Sequence, residues 1–99
     1  MPSYSVARLA ESDLSSILLY TLRTWGSRQA KRYSLGLRNC FQLLADSPSI
    51  GRGCDAIHAG LRRFEQGKHV VFYLNQPDGI LIVRVLHQQM LPNRAYFEQ

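Results

Sequence analysis

Residues 60–90 read GLRRFEQGKHVVFYLNQPDGILIVRVLHQQM, and this stretch decides the fold. Its apolar runs are interrupted twice by turn-forming residues, at Gln66-Gly67-Lys68 and at Pro77-Asp78-Gly79. In the second turn Pro pre-sets its φ, Asp bonds its own backbone and Gly tolerates positive φ. Three strands joined by two tight turns make an antiparallel meander. From Ile80 to Leu86 every residue except Arg84 is apolar. Such a run predicts a central strand covered on both faces, not an edge with one wet face.

The cover must come from upstream. Ser49 to Ala59 is a loop, with Gly51 and Gly53 inside it and Gly60 at its end. Before it, Ala30, Tyr33, Leu37, Cys40, Phe41 and Leu44 line one face of a helix that Asp46-Ser47-Pro48 stops. Ser27 is the expected N-cap. A preceding helix carries Leu14, Ile17, Leu18, Thr21, Leu22 and Trp25 at helical spacing. Ser12 is its expected N-cap, and Gly26 its end. With so short a connection the two helices fold back as a hairpin. Tyr4 to Leu9 reads as a short first strand, placed beside the last one. After Met90, Pro92 breaks the strand, and Asn93 to Gln99 form a short tail with room for one helical turn. The predicted order is β-α-α-β-β-β: an α+β fold in two layers, the helical hairpin packed on a small, mainly antiparallel sheet.

Ninety-nine residues make one domain, 1–99, with enough chain for a single core. Composition is that of a soluble globular protein, 45% apolar and 19% charged. The charge balance is less ordinary. Twelve Lys plus Arg against seven Asp plus Glu leave +5, and only Lys31 and Lys68 are lysines. Arg makes forked contacts with carboxylates and phosphates. A basic surface therefore expects an acidic partner, either nucleic acid, an enzyme that handles it, or an acidic protein segment. The amino-terminal residues contain no apolar leader, and no apolar run reaches membrane-spanning length. Cys40 and Cys54 read as free thiols, and the expected location is the cytoplasm, with no membrane partner.

Chemical motifs are scarce. Gly51-Arg52-Gly53 is too short for a phosphate loop and opens no helix. There is no Gly-x-Ser-x-Gly elbow. Cys54 and His58 lack a second ligand pair at zinc spacing, so neither metal nor cofactor is expected. The carboxylates are scattered through caps and turns, unlike a paired-carboxylate hydrolase. What remains is His69, His87, Arg62, Arg63, Lys68, Arg84, Arg94 and Tyr96 on the sheet and tail. Histidine moving protons beside arginine holding phosphate suits a ribonuclease. Against that, an imidazole at a strand end commonly bonds only a loop carbonyl. Arg84 is the odd residue: burial alone does not explain a cation in an apolar strand. Its head must reach the sheet end or meet a carboxylate.

Several ordered fragments resemble the ParE toxins. Asp13-Leu14, Tyr20-Thr21, Trp25-Gly26, Gln29-Ala30 and Tyr33 are similar to their helical hairpin. Leu44-Ala45, Pro48, Gly51-Arg52, Asp55 and Gly60-Leu61-Arg62 are similar to their middle. His69 to Tyr73, Gly79-Ile80, Ile82 to His87 and Met90 are similar to their end. The resemblance implies the RelE/ParE fold and the toxic half of a type II toxin–antitoxin system, such as those that stabilise plasmids. It implies inhibition of DNA gyrase by trapping the enzyme on cut DNA, and neutralisation by a ParD-like antitoxin with an acidic carboxy-terminal segment, as a hetero-oligomer. The chain itself would then be no enzyme.

On this basis antitoxin contacts are expected at Leu18, Leu22, Trp25, Tyr33, Leu37 and Phe41. Basic contacts are expected from Arg62, Arg63, Lys68 and Arg84. Toxicity is expected from His87, Met90, Arg94, Tyr96 and Phe97. The alternative within the same fold is a RelE-type ribosome-dependent mRNA endoribonuclease built on Arg63, Lys68, Arg84, His87 and Tyr96. It lacks support from the ending Leu86-His87-Gln88-Gln89-Met90, which is ParE-like, and from the small number of lysines. A third reading is a non-toxic binding module.

Overall fold

The computed structural model describes residues 3–90 and 94–97. Its order is β1 (Ser3–Val6), α1 (Arg8–Trp25), α2 (Ser27–Asp46), a 3-10 turn (Pro48–Ile50), β2 (Arg52–Gly53), β3 (Arg62–Gln66), β4 (His69–Gln76), β5 (Gly79–His87) and a terminal 3-10 turn (Arg94–Phe97). The sheet runs β1-β5-β4-β3-β2. β1 lies parallel to β5, and the other pairings are antiparallel. The expected meander and the placement of the first strand are both present. The short strand β2 was not anticipated. Two residues carry no periodicity, and β2 exists because Arg52 and Gly53 pair with Arg63 and Arg62.

Both junctions around α1 are tighter than the capping pattern indicated. Ala7 donates to the Ile82 carbonyl at 2.9 Å as the last rung beside β5, while its own carbonyl accepts from Glu11 at 2.9 Å as the first helical bond. One residue thus closes the strand and opens the helix, and Ser12 lies inside α1 instead of capping it. Gly26 does the same between the helices. With φ of 91°, it donates to Leu22 at 3.0 Å and accepts from Ala30 at 3.1 Å. Ser27 is therefore the first residue of α2 and makes no capping bond.

Side chains alternate along β4. Val71 and Tyr73 join Leu37, Cys40, Phe41, Leu44, Ile80, Ile82 and Val85 in the core under the hairpin. Val70 and Phe72 point the other way, joining Leu61 and Leu86, with Tyr96 and Phe97 of the terminal turn packed on them. Both faces of β5 are covered, as its apolar run requires. Each fully buried Leu, Ile or Phe contributes roughly 1.5–3 kcal/mol. A bulge interrupts β5. Phe72 pairs with Arg84 and Tyr73 with Ile82, leaving Val83 as the extra residue. The bulge lets Ile82 and Val85 share one face and re-aims Arg84.

Two tyrosines pin loops to this frame. Tyr73 donates to the Pro48 carbonyl at 2.6 Å and accepts from the Gly51 amide at 3.0 Å. Tyr33 on α2 holds the β3–β4 turn, accepting from the Lys68 amide at 3.2 Å. Gly67 in that turn has φ of 59°, and a Cβ there would sit 2.8 Å from the Tyr33 hydroxyl. Glycine alone satisfies both the conformation and the space.

Candidate partner-binding site

The two helices bury less than their apolar content allows. In α1 the buried side is Ala10 and Thr21, with Leu14 and Ile17 packed against the core. Leu18 and Leu22 are each 45% exposed and Trp25 is 66% exposed. Leu19 and Tyr20 beside them are also exposed. Along α2, Leu37 and Phe41 are core, at 2% and 0% exposure. The expectation that they contact a partner gives way: their side chains already fill the space between hairpin and sheet. Cations surround the apolar strip. Arg23 on α1 and Arg28, Lys31, Arg32 and Arg38 on α2 are all exposed.

Beside this strip a groove of about 1080 Å³ runs between α1 and the ends of β4 and β5. Ile17, Tyr20, Trp25, Val85, Leu86 and Met90 give it apolar and aromatic walls. Tyr33, Lys68, His69, Arg84 and His87 add polar groups. Thus Trp25, Tyr33, Lys68, Arg84, His87 and Met90 come together, although they were assigned to two separate sites in the sequence.

Within the groove the charges are organised. Arg84 Nε and Nη2 donate to Asp13 at 2.8 and 2.7 Å, and the Val85 amide donates to the same carboxylate at 3.0 Å. Both side chains are largely buried, 16% and 13% exposed. Arg84 also donates through Nη1 to the Tyr96 carbonyl at 2.5 Å. The Asp13 bond raises the guanidinium pKa further, against the effect of burial, so Arg84 stays charged at every physiological pH. In the sequence Asp13 stood out only within the Asp13-Leu14 fragment, with no partner assigned. Its position three residues beyond the buried Ala10 and four before Ile17, together with a lone Arg in an apolar strand, is the signal that joins them.

His69 and His87 pair across the strands, with ring centroids 5.5 Å apart. His69 Nδ1 shares a 2.6 Å hydrogen bond with the Tyr33 hydroxyl. Burial lowers its pKa below the ordinary histidine value. The neighbouring His87 lowers it further, while Asp13 opposes both. His87 Nδ1 accepts from the Gln89 amide at 3.1 Å, which puts the proton of its neutral form on Nε2.

The other basic residues lie away from the groove. Arg62 donates to the Ser49 carbonyl at 3.0 Å and to that of Gly51, so it ties the loop after α2. Arg63 lies over the Phe72 ring, 5.7 Å from its centroid, and shares one Glu65 oxygen with Arg52. Burial pushes the Glu65 carboxyl up, but the two arginines outweigh it and hold it below the ordinary range. Tyr96 and Phe97 sit on the opposite face of the sheet, with Phe97 edge-on to Phe72 at 5.0 Å. The Arg94 side chain, Pro92 and the expected Asn93 cap lie outside the described residues. Both cysteines are free. Burial pushes the Cys40 thiol up to about 11, which keeps it protonated. Among the described residues no group of three or more His, Cys, Asp or Glu is placed to hold a metal ion, and no helix is long and apolar enough to cross a membrane.

The class of fold is thus a basic helical hairpin, carrying an exposed apolar strip, on a small mixed sheet. Residues 4–92 match the family model described as ParE toxin of type II toxin-antitoxin system, parDE, and the chain belongs to that family. It is 38% identical over 90 residues to Toxin ParE1 of Caulobacter vibrioides, covering 91% of this chain and 93% of that one. It is 32% identical over 91 residues to Toxin ParE of Escherichia coli, covering 91% and 88%. In fold it is similar to a chain of the structure titled "Chromosomal ParDE TA system from P. aeruginosa", with a TM-score of 0.73 at 20% identity, over 88% of this chain and 96% of that one.

Proposed function

We propose that this toxin arrests growth by trapping DNA gyrase on cut DNA, without being an enzyme itself. We also propose that a ParD-like antitoxin neutralises it. The antitoxin reading rests on one observation: Leu18, Leu22 and Trp25 stand exposed among the cations of the hairpin. An acidic, amphipathic segment complements both features, folding its apolar side onto the strip and into the adjoining groove. Trp25, Tyr33 and Lys68 line that groove. Toxicity belongs to His87, Met90, Arg94, Tyr96 and Phe97, at the end of β5 and in the terminal segment. Membership of the ParE family supports the gyrase reading. The ribonuclease reading is less supported, because Asp13 already neutralises Arg84 and the Tyr96 side chain is packed against the second core cluster.

The test is a gyrase cleavage assay. Purified protein, gyrase, supercoiled plasmid and ATP are incubated, then treated with detergent and protease. Linear plasmid rising with protein concentration is the expected result. Growth arrest in cells without linear plasmid in the assay overturns the gyrase mechanism.

A further inference from the structure

We infer that Arg84 is a positioning residue: it clamps the terminal turn Arg94–Phe97 to α1 through Asp13, and so couples the groove to the terminal segment. Three observations carry this. First, the guanidinium divides its donors, two to Asp13 on α1 and one to the Tyr96 carbonyl. Second, Asp13 and Arg84 are both walls of the groove, whereas Tyr96 and Phe97 pack on the far face of the sheet. The clamp therefore joins the two sides at residue 84 of β5, beyond Gly79–Ile82, where β1 pairs with the strand. Third, the bulge at Val83 is what re-aims Arg84, so the connection is part of the backbone and not a chance surface pair.

A molecule filling the groove touches the Asp13 side of this clamp. If it draws on Asp13 or Arg84, the terminal turn loses an anchor. If it leaves them paired, the turn is held. Linkage makes the effect reciprocal, because what loosens the turn also loosens the clamp's hold on α1. The functional meaning of the coupling rests on the reading that the terminal segment carries toxicity; the coupling itself does not.

The experiment is amide hydrogen exchange on the full chain, followed in peptides covering residues 94–97, α1 and β4. Three variants are compared with wild type. Arg84→Lys keeps a cation for Asp13 but has no fork to reach Tyr96 as well. Asp13→Asn removes the charge that orients the guanidinium. Phe97→Ala loosens the turn from its own end. Arg84→Lys and Asp13→Asn are expected to raise exchange at residues 94–97 at least tenfold, while β4 changes less than threefold. Phe97→Ala is expected to raise exchange in the part of α1 around Asp13. In the gyrase assay Arg84→Lys is expected to need at least tenfold more protein for the same linear plasmid. Unchanged exchange at residues 94–97 in Arg84→Lys overturns the clamp. Unchanged exchange around Asp13 in Phe97→Ala overturns the coupling. If wild type yields no linear plasmid, the gyrase reading fails alone, and the exchange results still decide the clamp.

Discussion

Tyr73 and Tyr33 each spend a hydroxyl on holding a loop that has little apolar surface of its own. Tyr73→Phe strips the partner from the Pro48 carbonyl and the Gly51 amide while keeping the buried ring. We expect it to cost about 1–3 kcal/mol, since buried polar groups lose their bonds without gaining water. Urea unfolding should show a lower midpoint at unchanged slope. At the other tyrosine the chemistry is acid–base. His69 has a folded pKa below its unfolded value of about 6.5. The unfolded chain therefore binds the proton more readily, and stability is lost as pH falls from about 6.5 through the lower folded value. Melting temperature measured between about pH 8 and pH 5 should fall toward acid, and His69→Gln should flatten that decline. Equal slopes in the two proteins would remove His69 as its source. At this scale the sequence was half legible. Arg84 was visibly anomalous, and a carboxylate partner was one of two explanations. That the carboxylate is Asp13 depends on how α1 is rotated over β5, which no local pattern specifies.

Helix α1 shows why a wide apolar stripe is ambiguous. From Leu14 to Trp25 the apolar positions follow helical spacing on one face, and that spacing does not separate the core residues from Leu18, Leu22 and Trp25, expected to meet a partner. In the folded chain the stripe splits. Leu14 and Ile17 pack against the core and Thr21 is buried, while Leu18, Leu22 and Trp25 stay exposed. Two partners, one inside the chain and one outside, leave the same periodic mark as one partner and a larger core. Substitution separates them. Leu22→Ser should change stability by no more than about 0.5 kcal/mol, yet weaken antitoxin binding at least tenfold in a calorimetric titration. Phe41→Ala should destabilise by about 3–5 kcal/mol, because it opens a cavity under the hairpin. If Leu22→Ser instead unfolds the protein while binding per folded molecule is unchanged, the strip is structural. Capping chemistry alone misjudged the helix starts, while Gly26 and Asp46-Ser47-Pro48 end the helices as expected. Backbone groups of Ala7 and Gly26 already serve both neighbouring elements, so the serines at 12 and 27 have nothing left to cap.

For the molecule as a whole, the meander, the helical hairpin and the neighbour of β1 were readable because each follows from apolar run length and turn residues. The groove was not, since its walls come from α1, α2, β4 and β5 and exist only once these are assembled. The charge of +5 acts at this same scale. Affinity for an acidic antitoxin should fall about tenfold between about 0.1 and 0.5 M salt, chiefly through slower association, as rapid-mixing fluorescence of Trp25 would show. A salt-independent rate would mean that the cations around the strip do not steer the encounter. The parallel pairing of β1 with β5 sets Ser3 against Gly79, most of the chain's length away. As the ribosome releases the chain, β1 and both helices emerge with no sheet to receive them. They wait until the strand that belongs between β1 and β4 has been made. Such distant pairings also slow folding itself. Interrupted translation therefore leaves β1 and the helices without β5, the strand beside which β1 is built, and the groove is complete only after that strand has cleared the exit tunnel.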